Sequence, residues 1–590
     1  MNLLEKFNNW RGEFTWPAKN QWRQFFTIAS RREKYLTALF GLIVAVGLII
    51  LGTWFYFNYT EIKPKRAGSI NIGVFSSPRF LNPVLNQIND TDRDLSTVIF
   101  SGLMKYNGQG NLINDAAAKY AIGDFGKVYE ITLQKDIQWQ DGKPLTADDI
   151  IFTLQVIQNP DYRSPLRALW QGIEVEKIDD LSVRFRLKNA YPFLNNLTFG
   201  ILPKHLWESV APAQFALHEL NLKPVGSGPY KFKKLQKDKN GAVKILEFEA
   251  FKNYFGGEPY LTDLVFKFYS SEAEVMNAYK KEEIDAFNFL SAKNLAELNK
   301  NNGNLNIYPI TLPRYFAVFF NQSQNALLID KTIRQALAYA TDKKKIIAAV
   351  FGGYGQEIDS PLLPGMAGYS DKIKIYDFAP EQAKSILANT GWQDLDNDGV
   401  LEKEVLKEKV RGKAQEKETI KLEVTLTTID WPELAQTAQI LQNQWAQIGV
   451  KLNLDIKNTS KIQNEVIKPR QYQALLFGEV LGQEPDLFHF WHSSQKKESG
   501  LNIALYENPE VDKLLLEILE DLNGDSRIQK IQRAVSLITD DLPAIFLFSP
   551  DYIFVAKKEI KGIELENLDA PSSRFSQINR WYAQTHRTWK

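Results

Sequence analysis

Hydrophobic and polar positions follow different periods along this chain, and each period predicts a different element. From Tyr35 to Phe57 (YLTALFGLIVAVGLIILGTWFYF) there is no alternation, only an uncharged run long enough to cross the hydrocarbon core of a bilayer as a helix. Ile70 to Phe75 then opens a run of strands. Tyr129, Ile131 and Leu133 alternate with polar neighbours, as do Leu181, Val183, Phe185 and Leu187 after the Asp179-Asp180 turn, which predicts a hairpin over Val175 to Leu187. A further strand pair is expected at Tyr230 to Leu235 and Lys244 to Ala250. Helical spacing appears at Ile150, Ile151, Leu154 and Ile157, with Thr146 as N-cap and Asp149 near the third helical position, and again at Ile333, Ala336, Leu337 and Ala340 behind Asp330. Leu422, Val424 and Leu426 form a strand, Leu434, Ala438, Leu441, Trp445 and Ile448 one helical face, and Val450, Leu452, Leu454 and Ile456 a second strand. That order is a βαβ unit and predicts a parallel or mixed sheet. Ala544 to Ile563 returns to strands, and the charged stretch Glu402 to Glu418 is expected to be a solvated loop or arm.

The flanks of the uncharged run say how it is used. Arg31, Arg32 and Lys34 precede it, while Trp54, Tyr56 and Tyr59 lie at its far end, the interfacial placement expected of a spanning helix. A cleaved signal peptide would have a shorter apolar core, and a lipoprotein needs a cysteine, of which the chain has none. The expectation is an uncleaved signal anchor: a tail over residues 1–34, a transmembrane anchor over 35–57, a linker over 58–67, and a large C-terminal body on the extracytoplasmic side of a cell membrane crossed once. Lys63, Lys65 and Arg66 after the run weaken the local charge bias for that orientation. The tail mixes Trp10, Trp16, Trp22 and Phe25 with basic residues, which suits either a segment lying on a membrane surface or a poorly ordered terminus.

Composition narrows the body. Its 590-residue chain is 44% hydrophobic and 24% charged, a globular mixture large enough for two or more lobes. Lys plus Arg (71) nearly equals Asp plus Glu (70), so no global field draws in nucleic acid. The absence of cysteine removes disulfides, thiolate metal sites and cysteine nucleophiles. Aromatic residues make up 12% of the chain, more than enough to supply both a core and a cleft for organic ligands.

Tyr129 to Gln155 (YEITLQKDIQWQDGKPLTADDIIFTLQ) resembles the signature of the extracytoplasmic solute-binding proteins of ABC importers, the oligopeptide and dipeptide-binding family, family 5. Further agreements come in the family's order: LNPVL at Leu81, IFSGLMKY at Ile99, GSGPYKF at Gly226, FKNYFGGEPYL at Phe251, IRQALAYATDKKKII at Ile333, YDFAPEQAKSILANTGW at Tyr376 and EPDLFHFW at Glu484. The resemblance implies an α/β fold, a two-lobed periplasmic-binding-protein-like type II clamp with an extra subdomain in the first lobe, here preceded by one transmembrane helix. It implies lobe 1 over residues 68–312 with the inserted subdomain, lobe 2 over 313–546, a return to lobe 1 over 547–590, and hinges near Tyr315 and Leu547. Trp139, Asp141, Gly142, Thr146 and the turn at Gly226, Gly228 and Pro229 are expected to be fold determinants. A solute in the cleft stabilises the closed form, which is offered to a permease.

Site residues implied by the same resemblance come from the hinge and second lobe: Arg314, Tyr315, Phe319, Asn321, Trp431, Glu479, Asp486, Phe488 and Trp491. Core packing is an equal reading of each. Peptide binders of the family place an aspartate for the ligand's ammonium a few residues before the Glu-Pro pair, and here Leu481 stands at that position. Either Glu479 or Asp486 substitutes, or the ligand carries no N-terminal ammonium. Asp394, Asp396, Asp398 and Gly399 form the first half of a calcium loop whose twelfth position is Val405, so the choice is between a partial structural calcium site and an Asx-rich turn. His489 and His492 share a helical face, and a structural role is the simpler reading than a metal. No cofactor is expected. The leading expectation is a monomeric, membrane-tethered receptor for peptides or another small solute, with an ABC permease as partner, and not an enzyme. The competing readings are an anchored hydrolase, although no nucleophile and base pairing is visible, and a surface chaperone or adhesion module.

Overall fold

The structure, a computed structural model, describes residues 18–288, 291–301, 304–406, 417–482, 486–498, 500–521 and 524–590. Trp10 and Trp16 lie outside the described residues, as do Glu484 and Pro485. The chain divides into two units, one holding the residues up to Lys65 together with Gln584–Lys590, the other holding Arg66–Ala583.

In the first unit, a short helix Lys19–Ile28 carrying Trp22 precedes a 29-residue helix, Arg31–Tyr59. Ser30 starts the long helix by a capping box: its N–H donates to Glu33 Oε2 at 2.8 Å and its hydroxyl accepts from the Glu33 N–H. The helix has no buried residue and is long and apolar enough to cross a membrane. The expected linker is in large part a strand, Thr60–Lys65, paired antiparallel with the strand Gln584–Trp589, in register from Thr60 opposite Trp589 to Lys65 opposite Gln584. Its partner lies at the far end of the sequence, so no local pattern announces it.

Among the described residues, three sheets of four or more strands form the second unit. The largest has seven strands in the order Leu305–Ile310, Tyr552–Lys557, Ala286–Asn288, Ser69–Phe75, Asp263–Tyr269, Val243–Ala250, Tyr230–Lys237. Ser69–Phe75 runs parallel to both its neighbours and the rest are antiparallel. An antiparallel four-stranded sheet, Ala117–Gly123, Val128–Leu133, Ser182–Arg186 and Glu174–Asp179, contains the predicted hairpin. The helix Ala147–Gln158 comes between Val128–Leu133 and Glu174–Asp179 along the chain, with Thr146 and Asp149 forming its capping box. The GSGP turn is explained by close approach: a Cβ on Gly226 would sit 2.0 Å from the Ile99 carbonyl oxygen, while the Gly228 N–H donates to that oxygen at 2.7 Å.

The third sheet has six strands in the order Gly355–Glu357, Ala544–Pro550, Arg314–Phe320, Ala474–Val480, Glu423–Ile429, Lys451–Lys457. Glu423–Ile429 and Lys451–Lys457 are parallel and joined by the helix Pro432–Ala446, as the βαβ pattern predicted. The charged stretch, expected as a loop or arm, is a two-stranded ribbon in its described part: Glu402–Leu406 pairs antiparallel with Lys417–Lys421, and 407–416 lie outside the described residues. Two main hydrophobic cores result. One takes in residues from Ile70 to Leu312 and again from Tyr552 to Trp581; the other runs from Tyr315 to Phe548.

Candidate functional site

The chain passes between the two cores twice, and both passages are short. Leu305–Ile310 belongs to the seven-stranded sheet and Arg314–Phe320 to the six-stranded one, with Thr311, Leu312 and Pro313 between them. On the return, Ala544–Pro550 and Tyr552–Lys557 are separated by Asp551 alone. The second crossing therefore lies beyond Leu547, which packs with Phe548 in the second core. Residues 547–550 stay with the six-stranded sheet, and Gln584–Lys590 belong to the other unit, so only part of 547–590 rejoins the first core. Two lobes joined by a pair of such crossings can rotate about them with few backbone changes.

Charged groups stand on both crossings. Arg314 Nε is buried without a hydrogen-bond partner, and burial pulls the guanidinium below its ordinary pKa against the opposing fields of Asp90 and Tyr552. Asp551 is half-buried, and desolvation raises its carboxyl above the ordinary range. A charged residue in the apolar run AIFLFSPDYIFVA was the available signal for Asp551, which the sequence reading passed over.

Tyr315, Phe319 and Trp491 lie in the interior of the second lobe at 0% exposure. Their rings pack together with Phe546, with centroids 5.4 Å apart for Tyr315 and Phe546, 6.4 Å for Phe319 and Trp491 and 5.9 Å for Trp491 and Phe546. Asn321 is also buried, its amide donating to the Arg470 carbonyl at 2.9 Å and its oxygen accepting from Ser323. Trp431 is exposed at the start of the helix Pro432–Ala446. Asp486 is exposed and caps Leu487–Trp491, pairing with His489 Nδ1 at 2.6 Å, an interaction that raises the His489 pKa. Phe488 is half-buried, its ring 4.5 Å from that of His492.

Glu479 is the chemically distinctive member. The Tyr315 hydroxyl donates to one of its oxygens, the other is buried with no hydrogen-bond partner, and burial pushes the carboxyl up to about 8. Glu479 lines a cavity of about 310 Å³ whose walls include Ile467, Phe477, Val480, Phe490 and Ile503, with Arg470 at its edge. A partly apolar cavity holding one unsatisfied carboxyl suits a ligand group that is apolar in body and carries a hydrogen-bond donor. Leu481 buries its side chain and donates its N–H to the Pro313 carbonyl at 2.7 Å, tying the second lobe to the first crossing.

The carboxylates of Asp394, Asp396 and Asp398 are exposed and within 4.8 Å of one another. Lys421 extends its ammonium to Asp396 (3.1 Å), Asp398 (2.5 Å) and the buried Glu402 (3.1 Å), so a cation of the chain already pairs with three carboxylates at this loop. A calcium ion here would compete with that lysine.

Two lobes, each with its own core, define a binding-protein fold of the type II kind. The chain belongs to the bacterial extracellular solute-binding proteins, family 5, whose middle-region model matches residues 111–499. Its relatives are solute-binding proteins of ABC importers rather than enzymes. It is similar to the oligopeptide-binding protein AppA of Bacillus subtilis, 29% identical over 529 residues covering 88% of this chain and 92% of that one. The solved structure of that AppA in complex with a nonapeptide superposes with a TM-score of 0.66 at 28% identity, covering 88% of this chain and all of that one (100%). NikZ of Campylobacter jejuni in complex with Ni(L-His) gives 0.67 at 27% identity, with 88% and 100% covered.

Proposed function

We propose that this protein is a monomeric receptor, anchored by Arg31–Tyr59 in the cell membrane, that captures peptides or a small solute of similar chemistry between its lobes and delivers them to the permease of an ABC importer. The observation that carries this reading is the pair of short crossings at Thr311–Pro313 and Asp551, which gives the body the two hinged halves that capture requires. Support for a peptidic ligand comes from AppA, described as oligopeptide-binding and solved with a nonapeptide. The chain's own chemistry refines it. With Leu481 buried and uncharged, the ligand's ammonium or amide donors meet Glu479, which becomes an anion on contact, while Phe477, Val480 and Phe490 accept apolar side chains. Arg314, Asp551, Trp431, Asp486 and Phe488 are assigned to the same cleft.

Mass spectrometry of small molecules released from the purified protein tests this directly. Peptides are the expected cargo, and adding them back should raise Tm, since ligand at a hundred times Kd stabilises by about 2.7 kcal/mol. Release of no peptide, together with no Tm shift across a peptide library, would refute peptide capture. Tethering substitutes high effective concentration near the permease for a diffusive search.

A further inference from the structure

Thr60–Lys65 begins where the long helix stops, with no residue between them. Thr60 fixes the junction, donating both its N–H and its hydroxyl to the Tyr56 carbonyl. Next to the Thr60–Trp589 pair, the Lys590 N–H donates to the Tyr59 carbonyl at 2.9 Å, so this segment is fastened to the last turn of the helix. Alternation along a strand pair divides its side chains between two faces. Ile62 and Pro64 share one face with Arg587 and Trp589, and Glu61, Lys63 and Lys65 share the other with His586. The first face follows the helix: Trp589 packs 6.2 Å from Phe55 and 6.1 Å from Tyr56, and the Arg587 guanidinium lies 4.4 Å over Phe57 and donates to Thr60 Oγ1 at 2.8 Å.

An isolated two-stranded ribbon is marginal in water, and this one leaves its apolar face uncovered, with Trp589 64% and Ile62 61% exposed. Phe55, Tyr56 and Phe57, against which it packs, are the last turn of the uncharged run, so whatever surrounds that run continues onto this face. Tryptophan and tyrosine beside arginine and lysine at the end of such a run are the side chains that the bilayer's headgroup zone accommodates.

We propose that the C-terminal strand is a membrane-surface clasp. The face carrying Ile62, Arg587 and Trp589 lies in the headgroup zone of a phospholipid bilayer, with Trp589 at the boundary with the acyl chains and Arg587 on lipid phosphates. This rests on the anchor reading of Arg31–Tyr59. It adds that two segments far apart in the sequence meet the membrane together, so that a doubled strand stands where a linker was expected.

Because the chain has no cysteine, an introduced one carries a nitroxide at a unique place. Full-length Trp589→Cys and, on the opposite face, His586→Cys are labelled and reconstituted in vesicles of phosphatidylcholine with phosphatidylglycerol. Electron paramagnetic resonance relaxation should favour lipid-soluble oxygen over a water-soluble nickel chelate at 589, with the preference reversed at 586. Ile62→Cys keeps Trp589 in place and should match 589. Carbonate extraction of the same vesicles reads the anchor separately: release of the protein would overturn the anchor and the clasp together. Retention with 62 and 589 as open to nickel as 586 would overturn the clasp alone. Dipolar broadening between labels at 589 would assign the face to a second copy of the chain and overturn the lipid assignment.

Discussion

Glu479 shows what burial does to a single carboxyl. Its proton is held up to about pH 8 in the folded chain, against an ordinary value of 4.5, because desolvation outweighs the hydrogen bond from Tyr315. The native state thus keeps a proton that the unfolded state gives up between those values. The stability associated with it is complete below pH 4.5 and is lost as pH rises through 8, at about 1.4 kcal/mol per pH unit. Asp92, raised to about 6 by burial, adds to the lower part of the same decline. Glu479→Gln keeps an acceptor for Tyr315 and cannot ionise. Its stability should match the parent within about 1 kcal/mol near pH 5 and exceed it by a few kcal/mol, on the order of the same linkage, at pH 8.5. Chemical denaturation at the two pH values checks this, and equal slopes with pH would refute it. The sequence offered Glu479 as a ligand residue on kinship, but its burial beside Tyr315 was not legible. Nor was the division among the aromatic candidates, since Tyr315, Phe319 and Trp491 at the core and Trp431 at the surface are equally apolar as letters.

At the scale of elements, legibility follows sequence separation. The capped helix at Thr146, the hairpin at Asp179-Asp180 and the βαβ unit depend on neighbours within a few tens of residues, and their periods announced them. Pairings between distant segments left no trace: Thr60–Lys65 with Gln584–Trp589, and the helix Asp90–Ile99 with the turn Pro571–Phe575. The latter pair is pinned by Asp94 and Arg574, at 1% and 0% side-chain exposure, with one guanidinium nitrogen 2.8 Å from Asp94 Oδ1, another on Oδ2, and the guanidinium 4.2 Å over the Phe575 ring. Removing one partner of such a pair strands the other charge away from water. Arg574→Met should therefore cost about 3–5 kcal/mol, and adding Asp94→Leu should recover part of it. Unfolding of the single and double variants decides the matter; a double variant no more stable than Arg574→Met would mean that the loss comes from packing over Phe575.

For the whole molecule, the question is what makes the closed state dependent on solute. Rotation about two crossings is easy by itself, so closure needs an interaction that only a bound ligand completes. On the proposed function, that interaction is made by Arg314, whose Nε is buried without a partner, and Asp551, whose carboxyl is partly desolvated. Each charge bears a desolvation cost in the empty protein that a ligand's polar groups would offset, and a hydrogen bond to a charged group contributes about 1.5–3 kcal/mol. Arg314→Met should then leave the empty protein at least as stable as the parent while weakening peptide binding about tenfold or more, at about 1.4 kcal/mol per tenfold. Asp551→Asn should act in the same sense through the other crossing. Melting of the empty variants, paired with ligand titration followed by the Tm shift, separates the two effects. A variant that melts lower when empty and binds as tightly as the parent would make Arg314 a support of the hinge, and the ligand dependence of closure would then have to come from Glu479 and the cavity it lines.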